Sequence, residues 1–334
     1  MKNKTILITG GTGSLGKKII SILLKKYNLK KIIIFSRDEQ KQFSMQQKFN
    51  DNRLRFFIGD IRDKDRLFSA LNGVDYVIHA AALKHVEVGE YNPFETIKTN
   101  IIGAQNIIEV SILRKVKKII ALSTDKASSP SNLYGATKLV SDKLFSAANN
   151  YAGSNDIKFS SVRYGNVFGS RGSIVPLLLS PKLTTLNLTD ERMTRFNITL
   201  NESALFVLSC LKDMLGGEIF IPKISSYKIL DLIKAVNPKV KIKITGLRSG
   251  EKLNEEMISQ NDAINTIELK DRFIICPSSN FNYRNKQYFL KTFKKSKSCA
   301  GNFSYTSEKN IFLTHKKISR VLRDNLEDIE INVA

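Results

Sequence analysis

Long apolar runs are missing from this chain. Nowhere do eighteen apolar residues follow one another, so no membrane-spanning helix is expected. Cysteine is scarce: Cys210, Cys276 and Cys299 are odd in number and far apart. That pattern excludes metal-ligand spacing and a disulfide framework, and it suits a reducing cytoplasm. Internal repeats and low-complexity tracts are absent. Acidic residues are outnumbered, with 31 Asp and Glu against 53 Lys and Arg, a formal charge of +22. Such an excess raises the question of nucleic acid or another anionic surface. The lysines, however, are spread along the chain. Only 286–297 is dense, and no helix-turn-helix or RNA-binding signature accompanies it. A solvated surface, partly fitted to a phosphorylated substrate, is the favoured reading, and nucleic acid is not an expected partner.

What is present is ordinary globular material: 334 residues, 42% hydrophobic and 25% charged, enough for one large domain plus a smaller one. Met1-Lys2-Asn3-Lys4 leads straight into an apolar run and then glycines. This reads as a buried first strand rather than a signal peptide. Short apolar strands are expected at 5–8, 31–36, 54–58, 75–79, 117–122 and 158–163. Amphipathic helices are expected at 14–26, 39–49, 64–71, 93–114 and 134–149. That alternation means parallel βαβ units and an α/β fold, a Rossmann-like doubly wound sheet. After about residue 166, Gly165, Gly169, Gly172, Pro176 and Pro181 break the pattern. Helices at 202–215 and 228–236 then mix with strands at 219–222 and 241–245, a smaller α+β region. The expected division is a dinucleotide-binding domain over 1–165, a mainly substrate-binding region over 166–280 with segments returning to the first domain, and an extension over 281–334. The last forty-five residues are polar and poorly periodic. An extended wrap, a partner-binding surface and partial disorder remain open for them.

Gly10-Gly11-Thr12-Gly13-Ser14-Leu15-Gly16 lies between the first strand and the first helix. Its glycines permit a tight turn and close approach of a pyrophosphate to N–H groups at the helix start. The strand–turn–helix context turns a weak motif into a strong one. The second strand ends in Ser36-Arg37, which suits a ribose 2′-phosphate because a guanidinium pairs with it bidentately, so NADP is the expected cofactor. Asp60, followed by Ile61, is placed to receive the adenine amino group, or else serves as a turn or cap. Ala80-Ala81-Ala82 follows the fourth strand, where small residues let the chain pass beneath the cofactor. Lys84 and His85 come next and can face the substrate; for His85 a surface role is equally open.

The fifth strand delivers Thr124-Asp125-Lys126 to its carboxyl end, where open α/β sheets place ligands. Tyr134 and Lys138 follow at helical spacing, one turn apart on one face. A phenol beside an ammonium is an acid/base device, since the cation favours the phenolate and lowers the phenol pKa. For Lys126 to act as a base it must be neutral. For Asp125 to donate a proton its pKa must be raised, and a buried ion pair between them would oppose both, so the pair is read as coupled.

Together these residues resemble the extended short-chain dehydrogenase/reductase superfamily. Within it, Ala81-Ala82-Leu83-Lys84-His85-Val86, Glu90-Tyr91-Asn92-Pro93 and Lys98-Thr99-Asn100 resemble the inverting UDP-N-acetylglucosamine 4,6-dehydratases. So do Ser123-Thr124-Asp125-Lys126-Ala127, Asn132-Leu133-Tyr134-Gly135-Ala136-Thr137-Lys138 and Arg163-Tyr164-Gly165-Asn166-Val167. Gly169-Ser170-Arg171-Gly172-Ser173, Met193-Thr194-Arg195-Phe196 and Gly250-Glu251-Lys252-Leu253 continue the likeness. It covers about residues 4–275, and its specific mark is Asp-Lys where retaining sugar dehydratases carry Asp-Glu. Asn197, Asn254 and Glu87 depart from the Trp, His and Pro usual there, and 177–186 is a few residues short.

The resemblance implies the following roles. Tyr134 deprotonates the sugar O4 as hydride leaves C4, Thr124 hydrogen-bonds O4, and Lys138 holds the nicotinamide ribose. Lys126 removes the C5 proton, Asp125 protonates the departing O6 hydroxyl, and C5 is inverted. Arg171 and Arg248 are the arginines expected on the UDP-N-acetylglucosamine pyrophosphate, Glu251 on the uridine ribose, and Asn166 on a phosphate or the sugar, with Lys84 beside them. The resemblance also suggests a homo-oligomer, with a hexamer as its type, and a product entering pseudaminic acid-like surface glycans. An epimerase or reductase of the same superfamily, or an anion-binding homologue with little catalysis, stands as the alternative.

Overall fold

Strands that are apolar on both faces need cover on both faces, and the intervening helices supply it. In the computed structural model, residues 1–152, 156–278 and 284–329 are described. The first half runs β1 (Thr5–Thr9), α1 (Ser14–Lys26), β2 (Lys31–Ser36), α2 (Glu39–Phe49), β3 (Leu54–Ile58), α3 (Lys64–Ala70) and β4 (Tyr76–His79). It continues through α4 (Val86–Tyr91), α5 (Pro93–Ile97), a π-turn (Lys98–Ile102), α6 (Gly103–Leu113), β5 (Lys118–Leu122), α7 (Leu133–Tyr151) and β6 (Lys158–Val162). One face of the sheet packs Ile19, Ile20 and Leu23 of α1. The other packs Leu67 of α3, Ile107 and Ile108 of α6 and Phe145 of α7.

The remaining described elements are β7 (Asn166–Phe168), α8 (Ile174–Leu178), β8 (Thr185–Leu188), β9 (Thr194–Thr199), α9 (Leu200–Asp213) and β10 (Ile219–Pro222). Then come β11 (Ser226–Lys228), α10 (Ile229–Val236), β12 (Lys241–Ile244), β13 (Glu256–Ile258), α11 (Gln260–Ala263), β14 (Thr266–Glu268) and β15 (Arg272–Ile275). The last are α12 (Lys286–Thr292), β16 (Lys297–Ser298), β17 (Tyr305–Thr306) and α13 (His315–Asp324). The main sheet has ten strands in the order β16-β14-β15-β10-β6-β5-β4-β1-β2-β3. From β10 to β3 it is parallel, whereas β15, β14 and β16 add an antiparallel edge. The sheet is therefore mixed, a Rossmann-like core with a smaller C-terminal α+β region. The order reverses between β1 and β4, which opens a crevice beyond their carboxyl ends.

One expectation is revised here, and one open reading is narrowed. The single helix over 93–114 is interrupted by the π-turn, which places Asn100 inside the packing. Asn100 Nδ2 donates to Leu83 O (2.9 Å) and to Thr137 Oγ1 (3.1 Å), and its Oδ1 accepts from Leu83 N (2.9 Å), so the chain after β4 is pinned to α7. The C-terminal stretch is also folded over most of its length. Ile318 of α13 is buried with Leu232 and Ile233 of α10. Further on, Lys18 Nζ on α1 meets Asp328 Oδ2 at 2.7 Å, and Ile329 packs against Gly169. The expected boundary at 280/281 and residues 330–334 lie outside the described residues.

Candidate active site

The glycine turn forms first, because its geometry is set by backbone alone. Gly10 has φ +63°, and a Cβ there would sit 2.9 Å from Ala81 N and 3.0 Å from the Ala80 carbonyl. The end of β1 thus touches the end of β4, and the small residues Ala80 and Ala81 permit it. The Gly13 cap of α1 has no side-chain partner, which leaves the helix start to N–H groups that suit a phosphate. Gly10, Thr12, Gly13, Ser14, Leu15 and Gly16 line one cavity of about 640 Å3 together with Ser36, Arg37, Ile61, Ala80, Ala81, Ala82 and Lys84. Thr124, Asp125, Lys126, Tyr134, Lys138, Asn166 and Arg171 line the same cavity. The loop after β7 closes it: Lys84 Nζ donates to Arg171 O (2.8 Å), and Arg171 N donates to Ser14 Oγ (3.3 Å).

Asp60, Arg248 and Glu251 do not line this cavity. Asp60 sits just behind it, paired with Arg62 and 3.5 Å from Arg37 Nη1. Arg248 is exposed and pairs with Glu87, while its backbone N–H donates to Glu251.

Tyr134, Lys138 and the Thr124–Lys126 residues are brought together by α7 and the turn after β5. Asn132 Oδ1 caps α7 by accepting from Gly135 N (2.9 Å). A Cβ on Gly135 would lie 2.2 Å from Lys126 O, so only glycine lets α7 come this close to the Asp125–Ala127 turn. Thr124 Oγ1 donates to Asp125 Oδ1 at 2.9 Å, and Lys126 Nζ donates to the same oxygen at 3.1 Å. A second carboxylate was not anticipated. Glu255 Oε1 accepts from Lys126 Nζ at 3.0 Å and lies 3.5 Å from Arg195 Nε. Asn254-Glu255-Glu256 has no spacing that marks it. Only its place just after Gly250-Glu251-Lys252-Leu253 hinted at the site.

Burial sets the protonation states. It pushes Asp125 above the usual carboxylate range; Lys126 opposes this and Glu255 reinforces it. For Lys126 burial favours the neutral amine, but the Asp125 and Glu255 carboxylates outweigh it and raise the pKa. The neutral base expected from sequence is thus an ammonium in this state. Burial also pushes Tyr134 up to about 12, against the attraction of Lys126, so the expected lowering does not hold here. The cause is geometric. Lys138 is itself buried, which lowers its own pKa, and its charged neighbour is Asp142.

A doubly wound sheet with a glycine turn at its switch point, and a tyrosine–lysine helix after the fifth strand, defines the short-chain dehydrogenase/reductase class. A family model described as "Polysaccharide biosynthesis protein" matches residues 6–277. An inverting UDP-N-acetylglucosamine 4,6-dehydratase of Campylobacter jejuni is 52% identical over 96% of this chain and 97% of its own length. The X-ray structure of Pen from Bacillus thuringiensis is 38% identical with a TM-score of 0.89, covering 97% of this chain and 98% of that one. The chain belongs to this family of polysaccharide biosynthesis proteins, and within it to the inverting UDP-N-acetylglucosamine 4,6-dehydratase group.

The comparisons also correct the cofactor. A dTDP-glucose 4,6-dehydratase from Streptomyces venezuelae shares the fold at 22% identity and TM-score 0.67, covering 75% of this chain and 86% of that one, and is described with NAD bound. Other solved structures of this fold are likewise described with NAD. NADP is therefore withdrawn. The residues offered for its 2′-phosphate are engaged within the chain. Ser36 Oγ accepts from Gln42 Nε2 (3.0 Å), and the Asp60 carboxylate beside Arg37 opposes a second anion there.

Proposed function

We propose that this chain converts UDP-N-acetylglucosamine to a 4-keto-6-deoxy sugar nucleotide inverted at C5, an early step of glycan biosynthesis. It is a hydro-lyase. The observation that carries the reading is one cavity in which Thr124, Asp125, Lys126 and Tyr134 stand beside the glycine turn. That arrangement, in a chain 52% identical to an inverting dehydratase, joins a redox site to a second acid/base pair.

NAD is the cofactor we assign, and when bound it supplies a hydride acceptor for sugar C4 that returns the hydride at C6. The cradle fits it: Gly10 and Gly13 leave backbone room, Ala80–Ala82 form the floor, and Tyr134 and Lys138 face the far end. Tyr134 takes the O4 proton, with Thr124 on the same oxygen. A C4 ketone acidifies the C5 proton, which Lys126 removes. The O6 hydroxyl leaves as water with a proton from Asp125. Both groups reach the forms this needs by one transfer across their 3.1 Å contact: the proton passes from ammonium to carboxylate, leaving an amine and a carboxylic acid. Residues 1–165 carry this chemistry, while 166–280 hold the sugar nucleotide, with Asn166 and Arg171 nearest the cavity. The protein works as a homo-oligomer. Val88, Tyr91 and Phe94 are 55%, 87% and 75% exposed on neighbouring helices, an apolar surface suited to a second copy and checked by sedimentation.

Incubation with UDP-N-acetylglucosamine in deuterated water tests the reading by mass spectrometry. The expected product has lost water and carries deuterium at C5. A product of unchanged mass, epimeric at C4, would replace the dehydratase by an epimerase.

A further inference from the structure

The buried charges around Lys126 outnumber those the reaction consumes. Glu255 is 3% exposed and lies outside the cavity lining, yet it is as close to Lys126 as Asp125 is. It is delivered there on purpose-built contacts. Lys252 Nζ donates to Ser128 O (2.7 Å), Asn132 Nδ2 donates to Gly250 O (3.1 Å), and Ser128 and Ser129 donate to Glu256. Arg195, on β9, grips the same segment through Leu253 O (2.9 Å) and Lys252 O (3.1 Å) while its Nε faces Glu255. Asp125 Oδ2 and Glu255 Oε2 each remain buried without a hydrogen-bond partner among the described residues. A buried carboxylate with one free oxygen is costly, so its retention beside a reacting group calls for a role.

Resting on the dehydratase reading above, we propose that Glu255 is a positioning residue: from behind the cavity wall it shares the Lys126 ammonium with Asp125 and so sets the pH range in which the pair gains and loses the proton that the reaction moves. With Glu255 ionised, the ammonium is held between two carboxylates and the pair rests as ions. The charged and titratable groups facing this cluster are Asp125, Lys126 and Tyr134 from the β5 end and α7, Arg195 and Tyr227 from β9 and β11, and Lys252 from the following loop.

The sign of the effect follows from charge alone. Removing the Glu255 anion favours the neutral amine of Lys126 and the ionised form of Asp125, so both groups titrate at lower pH. Removing the Arg195 cation does the reverse. An opposite charge at this distance typically moves a pKa by about 1–3 units. Glu255→Gln is therefore expected to shift the whole pH profile of C5 deuterium exchange downward by about 1–3 units. Arg195→Gln is expected to shift it upward, a pairing that simple structural damage does not produce.

The parent enzyme is assayed first, and absence of C5 exchange there sinks the dehydratase reading itself. With exchange established in the parent, an unshifted profile in folded Glu255→Gln overturns the role of Glu255. If that variant does not fold, the Arg195→Gln profile decides, upward shift for and no shift against. Competitive acetylation of the parent, read by peptide mass mapping, needs no variant. A Lys126 midpoint above that of ordinary lysines (about 10.4) supports the shared ammonium, and a midpoint at or below it overturns it.

Discussion

At the scale of single residues, the proposed mechanism separates a redox half from an elimination half, and the two can be cut apart. Lys126→Ala removes the proposed base for C5 but leaves Tyr134, Thr124 and Lys138 in place. Loss of water should fall by about 100- to 10,000-fold, the usual range for one acid/base group, while reduction of the bound cofactor by substrate survives. Absorbance of the reduced cofactor and product mass, read together, check this. A second residue reports on pH. His79 is buried, its Nδ1 2.8 Å from Thr9 Oγ1, and burial, helped by Lys138, lowers its pKa from 6.5 to about 3. The unfolded chain binds that proton more readily, so stability is lost as pH falls from 6.5 toward 3. One such group contributes a slope of about 1.4 kcal/mol per pH unit. Chemical unfolding at several acid pH values should show a shallower slope in His79→Gln than in the parent. Neither His79 nor Glu255 was legible as a site feature in the sequence. Both owe their properties to contacts across long stretches of chain, and composition carries no trace of those.

At the scale of elements, legibility depended on period and length. β1 through β6 and the helices between them, α4 apart, were readable because each is a run of apolar residues, or an amphipathic stretch, bounded by turn residues. The antiparallel edge was not. β14 and β15 have three and four residues and β16 two, too short for a period to declare itself. The π-turn at Lys98–Ile102 was invisible for another reason, since it changes the hydrogen-bond pattern inside a helix without changing its apolar face. The contact of α7 with the Asp125–Ala127 turn is the element-level feature most open to test. Gly135→Ala puts a methyl group 2.2 Å from Lys126 O and forces the backbones apart. We expect a loss of about 1–3 kcal/mol in unfolding free energy and a larger proportional loss in kcat, because Tyr134 and Lys126 move relative to each other. Gly135→Ala with parent kcat would show that the separation of these two groups is not critical.

At the scale of the whole molecule, α13 lies in the stretch for which the sequence left an extended wrap, a partner-binding surface and partial disorder open. Its composition is charged and its apolar residues few, but Ile318 inserts among Leu232 and Ile233 of α10. Ile318→Ala should lower unfolding free energy by about 2–4 kcal/mol, as for other large-to-small changes in a core, measured by denaturant titration. An unchanged midpoint would mean that α13 contributes little to holding the substrate region.

The contacts of Asp328 with Lys18 and of Ile329 with Gly169 have a consequence for how the protein is made. A ribosome releases the glycine turn, α1 and the Asp125–Lys126 and Tyr134–Lys138 pairs long before it releases the residues that brace α1 and the loop after β7. The nascent N-terminal half can bury its strands as it emerges, yet the loop that closes the cavity waits for a segment synthesised much later. Such late, non-local contacts are slow to form. A chain stalled before Asp328 is expected to leave the loop after β7 without this brace, which faster limited proteolysis of that loop would show.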